Sequence, residues 1–387
     1  MFKRFMAGIL SFLLIFSNTF AQVSKQVNTD VSAELVKAPS AILMEQTTKQ
    51  VLYELDADRK MPIASVTKTM TMLLIMEAID SGKIKYSDMV TTSEHAASMG
   101  GSQVFLEVGE QMSVDEMLKS IAVSSGNDAA VAMAEHISGT EEAFVEQMNK
   151  KAEKLGAKNT HFINCNGLDE TEEHYSTARD VALISAELLK HPDIEKYLTI
   201  WMDTIRNGQF GLSNTNKLIR FYEGANGIKT GSTSVAKYCL SASAKRNNMQ
   251  LIAVVLGAPS TADRFSSASK LLDFGFANYA IADNSSFKAK IPEIKVVGGT
   301  ENQVEAEISG GLNAIVRKGN QNKITVKVKT EDKLSAPVKK GDKVGEAIFF
   351  VDGEELTKKS VVAKTDVDRI NCFQMFVRCL KKWATLY

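Results

Sequence analysis

At 387 residues, 44% of them hydrophobic, the chain is long enough for roughly two to three domains with real cores, which rules out a mini-protein. Lys plus Arg and Asp plus Glu both number 46, so overall charge gives no footing for a nucleic-acid partner or a strongly polarised surface. Four cysteines without framework spacing and five histidines without an HExxH or CxxC cluster argue against a disulfide scaffold and a metal enzyme, and no cofactor is expected.

In chain order, Lys3 and Arg4 precede an apolar run to Phe16, and Thr19-Phe20-Ala21 closes it. This reads as a secretory signal peptide cleaved after Ala21, because the run is shorter than the ~20 residues that span a bilayer. Residues 22 to about 40 form a polar leader, and AILMEQ and QVLYEL around TTK predict a hairpin. Residues 65–80, SVTKTMTMLLIMEAID, predict a helix that Ser65 starts and Ser81-Gly82 stops, buried because its apolar side is broad. Residues 114–189 are mainly helical, with Gly-containing turns and a polar loop near 164–175. Residues 228–244 read as one strand through YCLSASA, turning at Asn247-Asn248 into the β-prone LIAVVLG. An amphipathic helix over 264–279 closes the domain.

Beyond residue 282 the short alternating runs VEAEIS, KITVKVK and GEAIFFV predict a separate small β-domain. The last stretch puts Ile370, Phe373, Phe376, Val377, Leu380 and Trp383 on one side at helical spacing, with Arg369, Arg378, Lys381 and Lys382 largely elsewhere. Such a helix lies in a membrane interface and does not cross it; a helix docked on its own β-domain is the alternative. Cys372 and Cys379 fall two helical turns apart, about 10.5 Å, too far to pair within one helix. The four cysteines are expected as free or buried thiols.

Three short motifs carry the chemistry: Ser65-Val66-Thr67-Lys68, Ser125-Gly126-Asn127 and Lys229-Thr230-Gly231. SxxK alone has little weight, because it recurs at Ser234/Lys237, Ser267/Lys270 and Ser285/Lys288, whereas SGN and KTG each occur once. At i, i+3 on a helix, Ser65 and Lys68 share a face, as a nucleophile and its base require. The helix start offers free N–H groups to a developing oxyanion. A lysine takes a serine's proton only if burial or a neighbouring cation lowers its pKa, and Lys229, at the start of a strand, is the candidate cation. Thr230 offers a hydroxyl to an anionic group, and Gly231 no side chain to obstruct substrate. Ser125 offers a hydroxyl that relays a proton, and Asn127 an amide that holds Lys68 or a substrate amide.

With these motifs in this order, the sequence resembles the penicillin-recognising serine enzymes. Within them it is similar to low-molecular-mass D-alanyl-D-alanine carboxypeptidases of the peptidase S11 type. FINCNGLDE, YSTARD and NGIKTGST fit the same pattern, and the resemblance covers nearly the whole chain. It implies an α+β, multidomain architecture: a β-lactamase/transpeptidase-like catalytic domain over 22–282, with an antiparallel sheet flanked by helices plus a helical subdomain. A small all-β domain over 283–365 and an anchoring amphipathic helix over 366–387 follow the signal peptide (1–21) and catalytic domain. It further implies that Ser65 attacks the carbonyl between two terminal D-alanines, with Lys68 as base and Ser125 as proton relay. The N–H groups of Ser65 and Ser232 would form the oxyanion hole. Asn127 would orient, and Lys229, Thr230 and, by position, Arg264 would face the terminal carboxylate. Implied partners are peptidoglycan stem peptides, β-lactams as covalent inhibitors and the membrane surface, with no nucleic acid, and the implied location is outside the cytoplasmic membrane, at its outer face or the cell wall. Endopeptidase or transpeptidase action at the same site, and a non-catalytic muropeptide or β-lactam sensor, are the alternatives. The class A β-lactamase ExxLN loop is missing between Asn127 and Lys229.

Overall fold

A computed structural model describes residues 35–168, 171–283, 286–312 and 314–384; the segment expected to be a signal peptide and most of the polar leader lie outside them. The hairpin before Ser65 forms as β1 (Ser40–Glu45) and β2 (Val51–Leu55). Three later strands, β3 (Ala225–Thr233), β4 (Lys237–Arg246) and β5 (Met249–Ala258), join them in an antiparallel sheet of order β2-β1-β5-β4-β3. β3 is therefore an edge strand.

The single strand expected over 228–244 is in fact the hairpin of β3 and β4. It turns at Ser234-Val235-Ala236, with Lys237 at φ 55°. The alternation on either side reads through such a tight turn, so periodicity alone does not reveal it.

Successive strand residues point to opposite faces, and in β5 both faces are covered. Ile252, Val254 and Leu256 join the core on one side, and Leu251, Ala253 and Val255 the core on the other. That is why LIAVVLG carries no polar alternation. The first face packs against α1 (Lys68–Asp80) and the helical subdomain of α2 (Val114–Ser124), α3 (Asn127–Ser138), α4 (Glu141–Leu155) and α5 (Ala178–Leu188). α1 runs through the middle, buried from Lys68 to Met76. α6 (Thr261–Asn278) covers the second face, capped by the Ser260 hydroxyl accepting from Asp263 N–H.

The strand Tyr279–Ala282 follows α6 directly and pairs with Ala314–Arg317 of the β-domain. Ile315 faces the α6 core, whereas Ala314 and Val316 face the core of the β-domain. The β-domain's main sheet is β6 (Ala306–Ile308), β7 (Ile324–Thr330), β8 (Lys343–Val351) and β9 (Glu354–Ala363), in the order β6-β9-β8-β7.

The terminal helix α7 spans Cys372–Ala384. It touches the β-domain through Arg378, whose guanidinium donates to Asn302 Oδ1 at 3.0 Å and to Thr300 O. Its apolar side faces away: Phe373 is 75% exposed and Trp383 66%. Cys372 and Cys379 are free and exposed, and Cys165 and Cys239 free and buried. Among the described residues, no helix is long and apolar enough to cross a membrane.

Candidate active site

Ser65 lies on the 3-10 turn Ala64–Thr67 that runs into α1, one turn earlier than a simple helix start. Ala64 is held at φ 48°, a left-handed conformation that costs a non-glycine residue about 1 kcal/mol or more and turns the chain sharply ahead of Ser65. Lys68 opens α1 with no exposed surface. Its Nζ lies 2.9 Å from Ser65 Oγ, 2.5 Å from Asn127 Oδ1 and 2.8 Å from the carbonyl of Asn166. Burial lowers its pKa to about 7, against a smaller upward pull from Cys165 and Asp128.

Burial thus depresses Lys68, and the neighbouring cation expected to do so has a different place. Lys229 is the fifth of nine residues in β3, inside the strand and not at its start. It is almost fully buried, and its Nζ donates to Thr230 O at 3.1 Å. Burial first, then repulsion from Lys68 and Arg264, pushes its pKa well down. A buried ammonium flanked by two other basic groups is stabilised by an incoming anion.

Ser125 caps the C-terminus of α2 in the left-handed region, φ 64°, and Gly126 leads straight into α3. The Ser125 hydroxyl is buried without a hydrogen-bond partner. Such a group costs about 1–3 kcal/mol, so Ser125 is ready to bond with whatever enters. Asn127, the first residue of α3, donates through Nδ2 to Gly100 O at 2.7 Å. That carbonyl only accepts, so the amide oxygen must face Lys68. Asn127 thus holds Lys68 through its oxygen, with one N–H left over.

β3 passes directly over the Ser65 turn. A Cβ on Gly231 would lie 2.7 Å from Ile63 O and 2.9 Å from the nitrogens of Ser65 and Val66. Only glycine permits this approach, which sets Ser232 beside the turn. Thr230 Oγ1 donates to Thr215 Oγ1 at 2.6 Å. Arg264 donates through Nη1 to the carbonyls of Gly231 and Cys239 at 3.2 and 3.3 Å, with Tyr238 and Phe265 rings against it. It braces the β3–β4 hairpin from the α6 side; its position in the first turn of α6 did not reveal which way it reaches.

Several residues without a sequence-based role complete the frame. The Asn166 carbonyl reaches Lys68 because the 164–167 loop packs on the Ser65 turn. Thr71 Oγ1 donates to Cys165 O at 2.5 Å, Thr67 Oγ1 is 2.7 Å from His174 Nε2, and Gly167, at φ 77°, would carry a Cβ 2.0 Å from Ala64 O. Asp128 accepts from the backbone N–H groups of Val104 and Leu106 at 3.0 and 3.1 Å, and Asn127 N–H donates to Ser102 O at 2.7 Å, so both tie the 100–106 loop to the SGN turn. The Asn-Cys-Asn-Gly run within FINCNGLDE was the available signal for a tight functional loop.

The D-alanyl-D-alanine carboxypeptidase family model matches residues 27–260, and that of the penicillin-binding protein 5 C-terminal domain matches residues 283–369. The D-alanyl-D-alanine carboxypeptidase DacF of Bacillus subtilis is 45% identical over 99% of both chains. Penicillin-binding protein 5 of Haemophilus influenzae superimposes with a TM-score of 0.79 at 34% identity, covering 86% of this chain and 98% of that one. Penicillin-binding protein D2 of Listeria monocytogenes, in an ampicillin-bound form, gives 0.57 at 30% identity over 62% of this chain and 98% of that one.

Proposed function

The chain belongs to the D-alanyl-D-alanine carboxypeptidase family of penicillin-binding serine hydrolases, which act on peptidoglycan stem peptides, and from that premise we propose how its own residues carry the reaction. Ser65 Oγ bonds to the carbonyl carbon between the two terminal D-alanines as its proton passes to Lys68. A neutral amine has two N–H groups and one lone pair. Asn127 Oδ1 and Asn166 O can only accept, so they take the two N–H groups and leave the lone pair facing Ser65. This threefold seat of a buried Lys68 is the observation that carries the reading.

The N–H groups of Ser65 and Ser232 stabilise the oxyanion, a role supported by the close crossing of β3 at Gly231. The terminal carboxylate sits against Lys229 and Thr230, and its charge restores the proton that burial disfavours on Lys229. The C–N bond then breaks, and Ser125 hands the proton from Lys68 to the departing D-alanine. Water delivers hydroxide to the acyl carbon and its second proton to Ser65 Oγ, which frees the shortened stem. Arg264 acts as a positioning residue, through the Gly231 carbonyl. Incubation with penicillin followed by intact-mass measurement tests the nucleophile: one covalent adduct is expected on the wild type and none on Ser65→Ala. An adduct that survives the substitution sinks the assignment. Release of D-alanine from a soluble pentapeptide, with and without an amine acceptor, separates hydrolysis from transpeptidation.

The same reading divides the chain at residues 21, 282 and 365, exports it, and rests α7 on the outer face of the membrane. Support for this last point is the exposed apolar row of Phe373, Phe376, Leu380 and Trp383. Removal of residues 369–387 is expected to leave soluble activity intact and to abolish sedimentation with anionic liposomes. Unchanged sedimentation would favour a helix that serves only to dock on the β-domain.

A further inference from the structure

Thr230, if it receives the terminal carboxylate, marks the side on which the leaving residue sits, and the surface continues past it. Its hydroxyl is bonded to Thr215, and the neighbouring Asn214 N–H donates to Trp201 O at 2.9 Å. With ~5 Å between bonded strands and 3.8 Å between successive residues, Trp201 begins within about 10 Å of Thr215. There Trp201 and Phe221 meet edge to face at 6.0 Å, and the Arg220 guanidinium lies 5.6 and 5.8 Å from the two ring centres. Phe221 is 73% exposed, and Lys217 and Arg220 are exposed beside it. The reaction as described uses none of these residues.

We propose that Trp201, Arg220 and Phe221 form a sugar-binding subsite on the leaving-group side, where a neighbouring glycan strand of the peptidoglycan polymer stacks while a stem peptide occupies the Ser65 site. This rests on the assignment of Thr230 to the terminal carboxylate. The exposed Phe221 ring and the half-buried Trp201 ring, with the Arg220 guanidinium lying over both, offer apolar surface next to N–H donors. A sugar ring, with its C–H face and equatorial hydroxyls, has the matching chemistry. A protein partner fits less well, since a stable interface needs about 800 Å² on each side, and each of these side chains supplies at most ~150–250 Å². The lipid-facing helix α7 belongs to a different domain.

The test compares wild type with Phe221→Ser and with Trp201→Ala/Phe221→Ala in three measurements. Penicillin acylation reports that the Ser65 site is intact and is expected to stay within about twofold. Co-sedimentation with insoluble peptidoglycan is expected to weaken about threefold for Phe221→Ser and about tenfold for the double variant, the size of one and of two lost stacking contacts. N-acetylglucosamine oligomers are expected to compete with the wild type and not with the variants. Wild-type sedimentation by both variants, or indifference of the wild type to the oligomers, overturns the subsite. If the double variant does not fold, Phe221→Ser, altered at an exposed position, still decides the matter. Failure of the wild type to release D-alanine from a soluble pentapeptide would instead overturn the underlying assignment.

Discussion

Lys68→Ala is expected to lower the rate of Ser65 acylation by about 10³-fold, within the range for loss of a general base. The wild-type rate is expected to climb as pH rises through about 7. The direction follows from the sign of the shift. Burial lowers the Lys68 pKa from 10.5 to about 7, so the ammonium dominates below that pH and the neutral amine above it, and only the amine can take the serine proton. Lys68→Arg makes the test sharper: a guanidinium stays charged, so this variant should be as slow as the alanine and lose the rise near pH 7. The measurement is the rate of penicillin adduct formation from about pH 5 to about pH 9. Retention of the wild-type rate or of the rise in Lys68→Arg would show that another group is the base.

Gly231→Ala is expected to slow acylation about 10²-fold in a protein that still melts cooperatively. The added Cβ meets Ile63 O, Ser65 N and Val66 N, all at 2.9 Å or less. These are backbone atoms, so no side chain can turn aside to relieve the contacts. Either β3 or the Ser65 turn must shift by about 1 Å, a displacement that costs roughly 10²-fold in rate when it falls between a nucleophile and its oxyanion donors. Overpacking adds about 1–3 kcal/mol of destabilisation, small enough for the domain to survive. Thermal melting alongside the adduct rate checks both parts. Wild-type acylation would mean that β3 does not set the oxyanion site.

The three motifs could be picked out because each couples an uncommon residue combination to a recognisable local setting. Ser65 and Lys68 are close by helical geometry alone, and SGN and KTG occur once. What could not be read were contacts made by backbone atoms from distant segments. The Asn166 carbonyl is 98 residues from Lys68 in sequence, and a carbonyl has no letter of its own. The hairpin of β3 and β4 was hidden because alternation continues across its turn. The side chain of Arg264 reaches backbone carbonyls because β3 and β4 happen to pass within its length.

The sequence by itself determined the pairing of Ser65 with Lys68, the order of the motifs, the change from an α+β catalytic domain to a β-domain, and the amphipathic character of the terminal helix. Each rests on local spacing, the kind of information a linear chain carries directly. Tertiary structure alone decided how readily Lys68 gives up its proton. Its pKa falls chiefly because α1 runs through the core with Lys68 fully enclosed, and the mutual repulsion with Lys229 acts in the same direction. It likewise decided that Asn127 serves Lys68, that Arg264 braces β3, and that α7 turns its aromatic side outward. Desolvation and direction are properties of what surrounds a side chain, and those surroundings exist only once distant segments have packed together.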